Sequence, residues 1–578
     1  MPRQIRDILK ETGKPINDTG GTKLVFPRLD VLAALKLDWP TERHDYQRTG
    51  FTVLKGDMPD ETELKKTQLV MKENVSEEQV LRPSVADLDG NGHADVVTVV
   101  HDKLNAMEST VYRYEMQKHK VLGYVWYTAK RRGIYTLQGG AVLSPPTLDD
   151  VDADEIKEVV VLLRNGTIAV LEPSGDSLQL KWKRSFPQKS TSTLGGAPSL
   201  EFNGGAAVVD VDLNGRKDII FADAGLPNYF DWQAELLVLD GLTGSTLWNY
   251  TYNGITTNAT PGAYAPVSVQ NIDEDRYPEI IVPSYYGVYV FDFNATAQRL
   301  EKRCNTSHGK LEGSAVVTDY DTDNEYEVVY TTSSFLCGSG KTCANTTYVV
   351  EAKGCGVEKS IALGGISRVS PTVGNLDTDG NMEAVVSFGI GGTIGYSDEG
   401  YIKCYDLNSS SQDCSFDDDG ALRTSFVPPD LADINNDGKW EIIFGENNGS
   451  RVFVLYGNGT PDYEYDFGGF IDSALAIADI DGDNVAEIAL KKAGSPITLL
   501  ATISNENDPP YFTQTIANIT AIEGDLISIN ASGMVSASDP DGDALTFNYG
   551  SPYQRERPVA DDRERQWNLP DTCPSERR

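Results

Sequence analysis

The sequence predicts an all-β fold, a β-propeller of eight four-stranded blades with seven as the runner-up, followed by a short, truncated β-sandwich-like module. Three observations predict it. A nine-residue acidic pattern, Asp/Asn-x-Asp/Asn-x-Asp/Asn-x-x-x-Asp/Glu, occurs eight times at intervals of 46 to 63 residues, each copy flanked by apolar β-branched residues. Around each copy the order of events is constant: a short apolar strand, the acidic loop, a second strand, a third, a turn and a fourth, with no helical periodicity between copies. The 578 residues include 53 Gly and 28 Pro at 40% hydrophobic content, enough for a sizeable core cut by many turns. A four-stranded unit of this kind buries its faces only against its neighbours, and closing the stack into a ring removes the exposed ends.

Taken in order, residues 1–38 are a poorly defined lead-in, 39–503 the propeller, 504–550 a partial module and 551–578 an irregular charged tail that reads as a truncation or frame error. The third copy shows the blade best, with VVDV before the acidic loop and KDIIFAD, ELLVLDG and STLWNYTY after it. The last copy offers EIALKK and ITLLATI but no fourth strand. Residues 49–76 precede the first copy and are expected to supply that missing outer strand.

Charge excludes whole classes of function. With 50 Lys plus Arg against 86 Asp plus Glu, the net charge of −36 repels phosphate backbones and anionic headgroups, so neither nucleic acid nor a membrane surface is an expected partner. No run approaches the roughly 18 apolar residues of a membrane span, so no direct membrane insertion is expected. The first 38 residues lack a secretory leader, which implies a missing leader or a non-native N-terminus. Other features place the chain outside the cell or at its surface. Thirteen Asn-x-Ser/Thr acceptors occur, at Asn17, Asn74, Asn165, Asn249, Asn258, Asn294, Asn305, Asn345, Asn408, Asn448, Asn458, Asn518 and Asn530. Six of the seven cysteines (Cys304, Cys337, Cys343, Cys355, Cys404 and Cys414) share one stretch without metal-type spacing, which suits local disulfides. Cys337 with Cys343 and Cys404 with Cys414 can each close a hairpin, although six cysteines admit about 15 pairings and the sequence does not choose among them.

The acidic copies carry the chemistry. Hard cations such as Ca²⁺ take six to eight oxygens at about 2.3–2.6 Å, and a loop with ligands at alternate positions curls around one ion. Positions 1, 3, 5 and 9 supply the side-chain oxygens, and position 7 a carbonyl. In chain order the expected ligands are Asp87, Asp89, Asn91 and Asp95; Asp150, Asp152, Asp154 and Glu158; Asp210, Asp212, Asn214 and Asp218; Asn271, Asp273, Asp275 and Glu279. They continue with Asp319, Asp321, Asp323 and Glu327; Asn375, Asp377, Asp379 and Glu383; Asp433, Asn435, Asp437 and Glu441; and Asp479, Asp481, Asp483 and Glu487. Of these 32 residues 27 are carboxylates, which repel one another without a counter-ion; eight Ca²⁺ would bring the net charge to −20. Mg²⁺ suits the loops less, because it demands tight octahedral geometry. Position 6 wants positive φ, which Gly or Asn adopts cheaply; Glu155 and Arg276 depart from this, so sites two and four are expected to be weak, Arg276 being the more damaging.

At these residues the chain resembles the FG-GAP (VCBS) repeat family, the calcium-loop blades also found in integrin alpha-subunit propellers. The match runs over roughly residues 84–500, while the Phe-Gly and Gly-Ala-Pro portions are present only as Phe467-Gly468 and Gly196-Ala197-Pro198. Leu237 to Gly254, LVLDGLTGSTLWNYTYNG, is similar to the blade repeat of quinoprotein-like propellers, with its Trp pattern expected to serve blade packing; the adjacent-cysteine pair of quinoprotein alcohol dehydrogenases is absent. WPTERHDYQRTG, Trp39 to Gly50, resembles the lead-in of secreted propellers. After the linker NENDPPYF, the two strand-like segments resemble the start of a cadherin-like or immunoglobulin-like module, in which Glu523, Asp539, Asp541 and Asp543 would help hold an interdomain cation.

No catalytic constellation stands out. The five histidines are scattered, and there is no Gly-x-Ser-x-Gly elbow or phosphate loop. The expectation is therefore a non-enzymatic, extracellular calcium-binding propeller that acts as a cell-surface adhesion or ligand-binding module for a protein or glycan. The alternative is a carbohydrate-active propeller, either a lectin that stacks sugars on aromatics such as Trp248 or Tyr285, or a polysaccharide lyase.

Overall fold

A computed structural model describes most of residues 82–500. Its interruptions fall at 102–107, 122–123, 143, 187–203, 224–232, 254–264, 274, 285–286, 334–344, 378–379, 391–398, 419–421, 423–427, 447–448, 468–474, 481–484 and 493–494. It also describes 14–17, 25–28, 45, 47–48, 51–55, 68–70, 79–80 and four two-residue strands beyond 510. The chain divides into two compact units, residues 1–117 with 128–502, and residues 118–127 with 503–578. In the second, Tyr511–Phe512 pairs with Ala537–Ser538 and Thr546–Phe547 with Ser575–Glu576. The rest of the expected C-terminal module, including its four acidic residues, lies outside the described residues.

The first unit is an all-β propeller with eight blades among the described residues. The innermost strands are Ser84–Ala86, Thr147–Asp149, Ala207–Val209, Ser268–Gln270, Val316–Thr318, Thr372–Gly374, Asp430–Asp433 and Ala476–Ala478. The first seven are in contact one with the next, the eighth is against the first, and between the seventh and the eighth the strand Phe51–Lys55 touches both. Polar side chains at the start of the inner strands tie the ring together. Ser84 Oγ donates to the Pro146 carbonyl at 2.7 Å and Thr147 Oγ1 to that of Ala206 at 2.9 Å, while Ser268 and Thr372 do the same to Ala315 and Pro429.

Each blade is an antiparallel meander. Blade 3, for example, runs Ala207–Val209, Asp218–Ala222, Gln233–Asp240 and Thr246–Asn253 in sheet order. Its second strand, like those of blades 2, 4 and 5, is buried at every residue, because both faces of the sheet are covered. Alternate residues serve opposite interfaces. Ile219 and Phe221 pack toward blade 2, whereas Ile220 and Ala222 pack toward blade 4. The hydrophobic core is thus a series of layers between blades, not a single centre.

The N-terminal segment closes the ring as expected. Gln68–Val70 pairs antiparallel with Ser495–Leu500 and completes blade 8. The same segment does two further things that the sequence did not announce. Phe51–Lys55 adds a parallel strand to the inner edge of blade 7. Just before it, Arg48 is fully buried, donating from Nε to the Val267 carbonyl at 3.0 Å and from Nη2 to that of Ala206 at 3.3 Å. Arg82 and Asp430, both buried and 2.8 Å apart, tie the approach to blade 1 to the inner strand of blade 7.

Two disulfides lie among the described residues. Cys404–Cys414 closes a hairpin in blade 6, one of the pairings left open by sequence. Cys304–Cys355 links blade 4 to blade 5, across 51 residues. Cys337 and Cys343 lie outside the described residues. One glycosylation acceptor fits the fold poorly: Asn345 is fully buried, its amide donating to the Ser367 carbonyl at 3.2 Å.

Candidate metal centre

The acidic loops connect the first and second strand of every blade. In blade 3, Val209 pairs with Asp218, so the eight residues from Asp210 to Lys217 make the turn and position 9 starts the second strand. Position 2 is aliphatic in seven copies and Tyr in the fifth, namely Leu88, Val151, Val211, Ile272, Tyr320, Leu376, Ile434 and Ile480, every one of them buried. Its N–H donates to one oxygen of the position 9 carboxylate in all eight loops, at 2.6 to 3.2 Å. This anchor, invisible in a pattern read only for oxygens, fixes each position 9 side chain with its other oxygen facing the loop.

Backbone N–H groups order the remaining ligands. The position 1 carboxylate accepts from position 6 in the loops of Asp87, Asp150, Asp210, Asp319 and Asp433, at 2.8 to 3.1 Å. Position 5 accepts from position 7 in six loops, at 2.7 to 2.9 Å. Three ligand oxygens of Asp87, Asp89 and Asp95 lie within 4.8 Å of one another, as do those of Asp150, Asp152 and Glu158, and of Asp210, Asp212 and Asp218. Asp273 and Glu279 form such a group with Asp292. Asn271, Asn375, Asp377 and Asp479 take their places in the loops, whereas Asp379, Asp481 and Asp483 lie outside the described residues.

Position 6 has positive φ in every described loop, as expected, including Glu155 at 74° and Arg276 at 124°. Position 4 shares the property at Gly90, Ala153, Leu213, Thr322 and Asn436, which the sequence reading overlooked. The expected harm from Arg276 needs correction. Its guanidinium stacks over the Tyr277 ring, 5.1 Å from the centroid, and it is Arg303 that reaches into site four.

An ion would fit where buried oxygens lack partners. Asp218 Oδ1, Asp319 Oδ1, Asp433 Oδ1 and Glu441 Oε1 are buried without a hydrogen bond. Such groups are costly unless something compensates them. Burial pushes the Asp218 and Glu441 carboxyls up to about 8, and that of Glu327 up to about 9, with the neighbouring acids adding to the shift. Glu279 is pushed up by burial to about 8 even with Arg303 at 3.6 Å. Glu158 and Asp95 are raised less, to about 7 and about 6, because Lys181 and Arg113 hydrogen-bond to them.

A further carboxylate stands beside position 9 in the third strand, and it too was missed. Asp95 pairs with Glu115, Asp218 with Asp240, Glu327 with Glu351 and Glu383 with Asp406. Like charges directly opposite one another destabilise a sheet, and a cation beside them reverses the sign. The signal was present as an acidic residue at or near the end of the third strand in blades 3, 5 and 6, Asp240, Glu351 and Asp406.

The tryptophans serve packing between blades. Trp182 Nε1 donates to the Gly241 carbonyl of the next blade, and Trp248 donates to that of Gln298 while its ring lies 4.8 Å from Phe293. Trp248 is thereby committed to the blade interface, which counts against its role as a sugar platform. Tyr285 lies outside the described residues.

The chain is similar in fold to several solved structures. A europium-containing methanol dehydrogenase aligns with TM-score 0.51 and 10% identity over 79% of this chain and 89% of that one. A quinohemoprotein alcohol dehydrogenase from Comamonas testosteroni gives 0.51 and 10% over 89% and 87%. The ADHIIG quinohemoprotein alcohol dehydrogenase from Pseudomonas putida HK5 gives 0.51 and 10% over 85% and 84%. At this identity the likeness shows the propeller fold and nothing more. No family profile matches the chain, and no curated protein is similar to it.

Proposed function

We propose that the chain is an extracellular, calcium-stabilised propeller of the FG-GAP/VCBS kind, serving as a cell-surface adhesion or ligand-binding module and not as an enzyme. The observation that carries this reading is the set of buried carboxylate oxygens without partners at positions 1 and 9 of the inner loops. Calcium bound there supplies positive charge, and the chain's residues do the rest: Asp319, Asp321, Asp323 and Glu327 would hold it in blade 5, and Asp210, Asp212, Asn214 and Asp218 in blade 3. Backbone N–H groups pre-organise these oxygens, so binding costs little ordering. Affinities of about 10⁻⁴ to 10⁻³ M, usual for extracellular modules, match external calcium. The two disulfides suit an oxidising compartment. A rigid ring of blades joined by many loops suits recognition of a protein or glycan.

The test probes the full chain, with and without calcium, against arrays of extracellular protein domains and of glycans. Calcium-dependent, saturable retention of one ligand class is the expected result. Time-dependent release of unsaturated uronate from an acidic polysaccharide would replace this reading with the lyase one.

A further inference from the structure

The loops are not equivalent, and a residue outside them makes the difference. Between third and fourth strands, blades 2 to 7 each carry a one-residue register shift, at Val170/Leu171, Val238/Leu239, Val290/Phe291, Val349/Val350, Cys404/Tyr405 and Val454/Leu455. The fourth-strand residues left unpaired by these bulges are Lys181, Leu247, Arg303, Glu358, Asp413 and Asp462. A bulge re-aims its side chain, and in four of these blades the side chain reaches the acidic loop.

In blade 2, Lys181 Nζ lies 2.6 Å from Asp152, 2.8 Å from Glu158 and 3.6 Å from Glu172. In blade 4, Arg303 Nη1 lies 2.5 Å from Asp273, 3.6 Å from Glu279 and 3.9 Å from Asp292. Blades 5 and 7 invert the charge. Tyr320, at position 2, donates to Glu358 at 3.4 Å, and Asn435, at position 3, donates to Asp462 at 3.3 Å. Buried oxygens without a hydrogen bond occur in both groups, Asp319 Oδ1, Asp433 Oδ1 and Glu441 Oε1 here and Asp152 Oδ1 and Glu279 Oε1 in blades 2 and 4, but in blades 2 and 4 a bulge cation lies within 4 Å of the same carboxylates. Lys55 bonds the other Asp433 oxygen at 2.9 Å, from a largely exposed side chain. Asp413 accepts from Ser411 and is exposed, and Leu247 is neutral. Blade 1 reaches the blade 2 solution by another route, since Arg113 of its third strand lies 2.6 Å from Asp89 and 2.8 Å from Asp95.

We propose that the fourth-strand bulge residue decides which blades take a divalent cation: Lys181 and Arg303 stand in for the ion in blades 2 and 4, whereas Glu358 and Asp462 add a carboxylate and make blades 5 and 7 the strongest sites. Ligand charge count is a known control of calcium affinity, and an ammonium or guanidinium among the carboxylates offsets their repulsion with no ion bound. The inference rests on the calcium reading above.

The experiment is a calcium titration of the full chain by calorimetry and equilibrium dialysis, on wild type, Lys181→Asp and Glu358→Lys, with circular dichroism to confirm folding. Lys181→Asp is expected to bind one ion more than wild type and Glu358→Lys one fewer. Glu358→Gln, which keeps the side chain's shape, is expected to weaken one site about tenfold. Calcium binding whose stoichiometry neither charge swap moves would overturn this inference and leave the calcium reading standing. A wild-type chain that binds no calcium would overturn both.

Discussion

Stripped of divalent cations, the protein is expected to lose thermal stability steadily as the pH rises from about 5 to 9, and calcium is expected to abolish that loss. Asp218, Glu327 and Glu441 have folded-state carboxyls raised by burial to about 8, about 9 and about 8. In the unfolded chain they titrate near 4. Between those limits the folded state holds more protons than the unfolded one, so stability falls as pH climbs through the window. Asp406, lowered through hydrogen bonds that outweigh its burial, loses stability only as pH falls below the ordinary carboxylate range, and leaves the window untouched. At about 1.4 kcal/mol per unit, a residual shift of one unit at each of the three raised groups removes about 4 kcal/mol by pH 9. Calcium opposes this because it binds the ionised forms. At 100 times its dissociation constant each ion adds about 2.7 kcal/mol, with the increment shrinking toward pH 5 where protons compete. Melting curves across pH, in EGTA and in calcium, check it; a calcium-free profile that is flat or rises from pH 5 to 9 would refute the reasoning.

Phe221→Ala is expected to cost about 3–5 kcal/mol, the range for removing a buried aromatic. Phe221 is fully buried in the layer between blades 2 and 3, edge-on to Phe186 at 6.0 Å and packed with Val160, Ile168 and Leu237. The strands behind it are held in their own pairings, so the cavity cannot close by a simple shift. Stability in a ring of repeats is carried by interfaces between neighbours. The damage should therefore appear in hydrogen exchange as faster opening of Glu158–Leu163 and Asp218–Ala222, with Glu383–Ile390 of blade 6 unchanged. Leu242→Ala, at a partly exposed turn, should stay within about 0.5 kcal/mol. Denaturant unfolding compares the two, and a Phe221→Ala loss below about 1 kcal/mol would contradict the layered core.

What was legible in the sequence was what local pattern determines. The acidic turns, the apolar runs beside them and the missing fourth strand of the last copy each follow from a few adjacent residues. The missing strand was rightly sought before the first blade, where Gln68–Val70 supplies it. The hairpin disulfide Cys404–Cys414 was within reach for the same reason, with a separation of 10 residues. What was not legible depends on register and closure. Cys304–Cys355 joins two blades, a pairing no local spacing suggests. Arg48 finds its acceptors, Val267 and Ala206, only once the ring brings distant inner strands together. Lys181 and Arg303 read as ordinary outer-strand cations until a bulge turns them toward the loops. The position 6 rule located the backbone turn correctly yet named Arg276 instead of Arg303 as the intruding cation, because a turn residue's side chain is free to point away from the turn it makes.

The central claim is that the inner loops are structural calcium sites, and the most direct measurement is a thermal melt of the full chain in EGTA and then in millimolar Ca²⁺. Ligand that binds the folded state alone must raise stability, and three sites at 100 times their dissociation constant would add about 8 kcal/mol. The account predicts a large upward shift, reversed by returning to EGTA. Superimposable melts would contradict it, and the buried carboxylates would then be protonated acids in turns that hold no ion.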